Sequence, residues 1–167
     1  AVLASADAAG DLSEVEDELF RFGQLVSGQP QLSGVLGDPI APVAQRAGLA
    51  RELLADKARP ATVRLVEVAL GGFGGRTLTG ALTRLVELTA DRRDRQVAYV
   101  TVAAPLSDEE ERRLGARLSE LYGREVDVKQ TVDPEILGGV SVRVGSDLYD
   151  GTVLRRLNET RNALAKR

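Results

Sequence analysis

The chain has 167 residues, 43% of them hydrophobic, and a formal net charge of −3. That length suffices for one large domain or two small ones with a real core. There is no His and no Cys, which excludes Ser/His/Asp and Cys/His nucleophiles, the usual zinc ligands and disulfides. The acidic balance speaks against nucleic acid as a partner, because phosphate recognition rests on basic side chains. Trp is absent, and Phe20, Phe22, Phe73, Tyr99, Tyr122 and Tyr149 are the whole aromatic complement, too few to line a substrate pocket well. Carboxylate chemistry stays open, with 25 Asp and Glu residues to draw on. No apolar run approaches the roughly 20 residues of a membrane span, so direct insertion by this segment is not expected. Val97 to Leu106 comes nearest and is interrupted by Thr101 and Pro105.

The first half reads as helices. A short segment from Ala1 to Ala9 opens the chain, and Ser13 to Glu16 has capping-box spacing that predicts a helix start there. Val15, Leu19, Phe22 and Val26 then recur at i, i+4, i+7 and i+11, one apolar stripe ended by Gly28 and Pro30. A turn or two is expected around Leu32 to Leu36. Asp38-Pro39 predicts the next start, with Asp as cap and Pro in the first turn, for a helix carrying Val43, Ala47, Leu53 and Leu54. Pro60 opens another with Val63, Val66 and Leu70. Leu78, Leu82, Leu85 and Leu88 mark a last one that fades at Asp91 to Asp94. Short connections predict an antiparallel bundle over residues 1–94, and Asp91 to Arg95, with alternating charges, reads as a solvated linker.

The second half, 95–167, alternates strand and helix. Val97 to Val102 is a β-branched buried strand, and Ser107 to Glu110 is a second capping box, opening a helix with Leu114, Leu118 and Leu121 on one stripe until Gly123. Val126, Val128 and Val132, then Val140, Val142 and Val144, alternate with polar residues as half-buried strands. Gly145 to Asp147 suits a turn into Leu148-Tyr149, and Val153, Leu154, Leu157 and Leu164 form the apolar face of a closing helix. The predicted fold class is α+β: an N-terminal antiparallel helical bundle followed by a small mixed α/β domain.

Several features admit a chemical reading. Gly71, Gly72, Gly74 and Gly75 could cradle phosphate, but no Gly-Lys-Ser/Thr follows, and a helix end with a turn accounts for them better. Asp133, Asp147 and Asp150 could hold magnesium if they converged, although Asp before Pro or Gly is ordinary turn chemistry. Gly138-Gly139 needs no ligand, since a tight turn explains it.

The C-terminal half carries a more specific pattern. Asp133-Pro134-Glu135-Ile136-Leu137-Gly138-Gly139 leads into Val140 to Val144, then Gly145, then Asp150-Gly151-Thr152 and the segment with Leu157. This resembles the C-terminal signature of ATP synthase delta subunits and their mitochondrial counterpart, the oligomycin-sensitivity protein. In that family an Asp-Pro turn with Gly-Gly precedes a strand, a Gly and an Asp-Gly-Ser. Val100 to Ser107 is similar to the family's strand-to-helix entry, and Gly75-Arg76 to the start of its last bundle helix. Ser146 and Thr152 stand where the family usually has Asp and Ser.

The resemblance implies a non-catalytic stator subunit that links the catalytic head to the peripheral stalk, without a cofactor. It would sit peripherally on the cytoplasmic side of the bacterial plasma membrane. The bundle would bind N-terminal segments of alpha subunits in a groove between Ala1 to Ala9 and the helix bearing Val63, Val66 and Leu70. The second domain would hold the C-terminal part of the b stalk, against its sheet or against Val153, Leu154 and Leu164. The family's first helix is here entered partway at Ala1, as expected of a delta region fused behind a b-type stalk helix in some actinobacteria, and this predicts weak binding of alpha peptides by the chain alone. Two other classes remain open on the residues: a generic regulatory interaction module, and a small magnesium-dependent phosphate-ester enzyme.

Overall fold

The computed structural model describes residues 2–72, 77–136 and 138–152. Two compact units divide the chain, Ala1–Arg93 and Asp94–Arg167. The described residues of the first are helical: α1 (Val2–Ala9), α2 (Leu12–Gly28), α3 (Pro30–Gly37), α4 (Val43–Leu54), α5 (Pro60–Leu70) and α6 (Leu78–Arg92).

The stripe on α2 makes the core of this unit. Val15, Leu19, Phe22 and Val26 are all buried, as are Leu82, Leu85 and Val86 of α6, the helix against which α2 chiefly packs. Gly23 faces α6, where an added Cβ would lie 3.9 Å from Leu82. Fully burying such a side chain contributes about 1.5–3 kcal/mol. Leu65, Val66, Ala69 and Leu70 of α5 add a second layer.

Helix starts depart from the sequence reading in two places. Helix α2 begins at Leu12 behind Asp11, so Ser13 lies inside the first turn and makes no capping box. Asp38-Pro39 does not open α4 either; that helix begins at Val43 after Pro42. Asp38 instead accepts the Ile40 amide at 2.8 Å, a local turn that competes with helix initiation. Arg46 fixes the same loop by donating to the carbonyls of Ala41 (3.2 Å) and Leu36 (3.1 Å).

The expected solvated linker is also corrected. Arg93 donates to fully buried Glu16 at 2.9 Å, while Arg95 pairs with Asp127 at 2.6 Å and with Glu125. Asp94 takes a left-handed conformation, φ 58°, and accepts from Arg124 at 3.1 Å. Alternating charge here reflects specific pairing within each unit.

The second unit contains β1 (Arg95–Val102), α7 (Asp108–Tyr122), β2 (Glu125–Val132), β3 (Val140–Val144) and β4 (Asp147–Asp150). Sheet order is β2-β1-β3-β4. Strand β1 pairs parallel with β2 across the α7 crossover and antiparallel with β3, and β4 returns antiparallel to β3. The Ser107–Glu110 capping box forms as the spacing predicts, and Gly123 ends α7 with φ 65°. Four acidic residues in the first turn suit the positive end of the helix.

Helix α7 covers one face of the sheet, where Leu118 packs with Ala98, Val100, Val102, Val126, Val142 and Val144. The buried stripe runs Leu114, Leu118, Tyr122, leaving Leu121 64% exposed, because Tyr122 turns toward β4. On the opposite face Arg143 stacks on Tyr99, 4.5 Å from the ring centre. Lys129 is buried there, and Val132, read as half-buried, is 43% exposed at the strand end. The architecture is α+β, helices first and a mixed sheet after. The closing helix, with Val153, Leu154, Leu157 and Leu164, lies outside the described residues.

Candidate functional site

The signature residues gather at one end of the sheet. Val102, the last residue of β1, accepts the Asp133 amide at 2.8 Å, and Val102 lies opposite Val140 at the start of β3. Gly151 then donates to the Val140 carbonyl at 2.9 Å. Gly139 is the tightest point of this crossing. Its φ is +88°, and a Cβ on it would lie 2.5 Å from the Gly151 oxygen and 2.8 Å from the Thr152 Cα. Only glycine fits both demands. Gly138 also has positive φ, 139°. Gly145 stands apart, in the β3–β4 turn at φ 57°, where an added Cβ would meet nothing within 4 Å.

The aspartates serve the backbone. Asp133 Oδ1 accepts the Glu135 amide at 2.9 Å, and Asp150 Oδ1 accepts the Thr152 amide at 3.0 Å, each a local turn. Pro134 is exposed beside the first of these. Asp147 accepts from the Tyr122 hydroxyl at 3.0 Å, and the Tyr149 hydroxyl stands 3.4 Å from the same oxygen of Tyr122. Hydrogen bonding to Tyr149, then burial and Asp147, raises the Tyr122 pKa above its ordinary value. Among the described residues no three carboxylates come together as a metal site. The signature is therefore a way of closing the sheet, and its chemistry is conformational.

The bundle residues read as a groove divide. Val66 and Leu70 are 0% and 2% exposed and fill the unit's own core, so they are not the surface anchors that the resemblance implies. Both face inward because α5 is covered on that side. Val63 is only half-buried and Val68 is 45% exposed, while α1 lies against α5 and α2. The start of α5 is fixed by Glu18 of α2, which accepts the Arg59 amide at 2.9 Å and the Thr62 hydroxyl at 2.5 Å. Arg59 also bridges to Asp11 at 3.2 Å and Glu14 at 3.5 Å.

Sequence reasoning misses Ile40, 90% exposed in a loop held by Asp38 and Arg46, although the nearby prolines, Pro39 and Pro42, signal a loop apex. It also misses the exposed Leu148 and Tyr149 on edge strand β4, for which alternation alone gives no signal.

A helical bundle followed by a mixed sheet that a glycine-rich signature closes is the class of α+β protein that the described residues define. A model of the ATP synthase delta (OSCP) subunit family matches residues 1–164. The chain belongs to that family. It is 82% identical, over its full length, to the ATP synthase subunit delta of Salinispora arenicola, and 45% identical over 163 residues to that of Streptomyces griseus. It spans 61% and 60% of the length of those two relatives. Among solved structures, a chain of the Toxoplasma gondii mitochondrial ATP synthase hexamer shares the fold, with a TM-score of 0.53 at 18% identity, covering 98% of this chain and 93% of its own.

Proposed function

We propose that this chain is a non-catalytic stator subunit of a rotary ATP synthase, linking the alpha/beta head to the b stalk and resisting rotation. The observation that carries the reading is the family match over residues 1–164, nearly the whole chain. Both relatives described above bear the name ATP synthase subunit delta, and their similarity extends over 98% or more of this chain. The composition is in keeping: a clamp needs static surfaces, and no His or Cys is present for chemistry.

In this reading the helical unit, residues 1–94, takes alpha N-terminal segments by helix-in-groove recognition along α1 and α5. Of Val63, Val66 and Leu70, Val63 alone contributes to that surface. The α/β unit, residues 95–167, takes the C-terminal part of b, with Val153, Leu154 and Leu164 as contacts. The location is peripheral, on the cytoplasmic side of the bacterial plasma membrane. No described helix is long and apolar enough to cross a membrane.

Calorimetry of the whole chain with an alpha N-terminal peptide and with a b C-terminal peptide tests the proposal. Each should bind, the alpha peptide only weakly, and Val63→Asp should weaken the alpha peptide further by about tenfold, on the order of 1.4 kcal/mol. If neither peptide binds, either to this chain or to one of the longer relatives at full length, the stator reading fails.

A further inference from the structure

An apolar cleft opens on the helical unit, lined by no residue of α1 or α5. It lies between α2 and α4 and has a volume of about 170 Å³. Phe22 and Leu54 form its floor, at 3% and 7% exposure, and Leu25, 38% exposed, and half-buried Leu53 form its walls. Two exposed cations, Arg21 and Lys57, stand on the rim. Against these two cations the lining holds one carboxylate, Glu18, which accepts from Arg59 at 3.2 Å and from Thr62 at 2.5 Å. The rim is therefore positive.

The cleft is also held in shape. The Glu18 carboxylate ties down the Arg59 amide two residues beyond Lys57, and the Lys57 amide donates to the Leu54 carbonyl at 3.1 Å. Asp56 holds a left-handed turn at φ 57° just before it. On the other wall the Arg21 guanidinium is steadied by the Asp17 carbonyl at 3.3 Å. Groups fixed before binding lose less entropy on binding.

We propose that this cleft docks a short acidic amphipathic segment of a protein partner, seating one leucine- or phenylalanine-sized side chain while flanking carboxylates meet Arg21 and Lys57. The volume argues for a single side chain, since small-molecule pockets run to about 300–1,000 Å³. Charge complementarity selects an acidic segment over a basic one. The inference is independent of the stator reading, because α2 and α4 build this cleft and the groove on α1 and α5 does not enter it.

The probe is a short designed helix with leucines at i and i+4 flanked by glutamates, and its counterpart with lysines. Both are titrated into the isotope-labelled whole chain and followed by amide chemical shifts. The glutamate peptide should shift Leu25, Leu53, Lys57 and Ala58, and should bind about tenfold more tightly than the lysine peptide, the effect of two rim charges. Lys57→Glu should narrow or reverse that preference without altering the rest of the spectrum. Equal affinity for the two peptides, or shifts mapping elsewhere, overturns the proposal. Sedimentation showing that the chain alone self-associates through these residues would also overturn it, by assigning the cleft to a second copy.

Discussion

The crossing of Gly139 over Gly151 makes a sharp stability prediction for Gly139→Ala. An L-residue forced into the left-handed region costs about 1–2 kcal/mol. The new methyl group would also sit 2.5 Å from a backbone oxygen and 2.8 Å from a backbone Cα, so the two strands' ends must part. Overpacking of that kind costs about 1–3 kcal/mol more, giving about 2–5 kcal/mol in total. Gly145→Ala is the control. Its φ is 57° and nothing lies within 4 Å of its added methyl, so it should cost only the conformational part. The assay is unusually selective. All three tyrosines, Tyr99, Tyr122 and Tyr149, lie in the second unit, and Trp is absent, so tyrosine fluorescence in urea reports that unit while helical circular dichroism reports mainly the first. Gly139→Ala should lower the fluorescence midpoint well below that of Gly145→Ala and leave the bulk of the helical transition in place. Equal midpoints for the two variants would refute the idea that the signature glycines exist for this crossing.

Three further outcomes follow from the packing. Leu82→Ala, removing a side chain 1% exposed between α6 and α2, should destabilise the helical unit by about 2–5 kcal/mol, read by chemical denaturation followed at the helical band. Thr62→Val keeps the shape but removes the hydroxyl that donates to Glu18 at 2.5 Å, and should cost about 1–3 kcal/mol in the same experiment. Glu110 gives a pH dependence. Hydrogen bonds from the Ser107 hydroxyl and then the Ser107 amide lower its pKa from the ordinary 4.5, so its stabilising contribution is complete above that value and is lost as pH falls through the lower folded value. Ser107→Ala should flatten this part of the acid titration of the second unit, and an unchanged profile would show the capping box to be energetically silent.

Much of the fold is legible in the residues because periodicity and burial agree. The stripe Val15, Leu19, Phe22, Val26 is core, Pro60 does open α5, and Ser107 to Glu110 does cap α7. The misreadings share a cause: a local pattern is overruled by the partners a residue meets in the fold. Ser13 has the spacing of a cap, but Asp11 holds the cap position and the helix has already begun at Leu12. Arg93 and Arg95 look solvated until Glu16, Glu125 and Asp127 arrive from 77, 30 and 32 residues away. Val66 and Leu70 show the limit for sites. An apolar stripe marks one face of a helix, and only the neighbouring helices decide whether that face meets the core or a partner. The glycine signature is recognisable as a pattern, yet the reason for it, two chain segments passing at near-contact distance, requires coordinates.

The strand directions carry a mechanical consequence. Strand β1 enters the sheet at Arg95, at one end, and β4, parallel to it through two antiparallel steps, delivers the chain at Gly151 to the other. A pull applied between those two points therefore runs along the strands. The ladder bonds of β1 with β3 and of β3 with β4 would be loaded together in shear, and none could be peeled open singly from an end. A domain threaded this way bears tension well along one axis, which would suit the stator role proposed above.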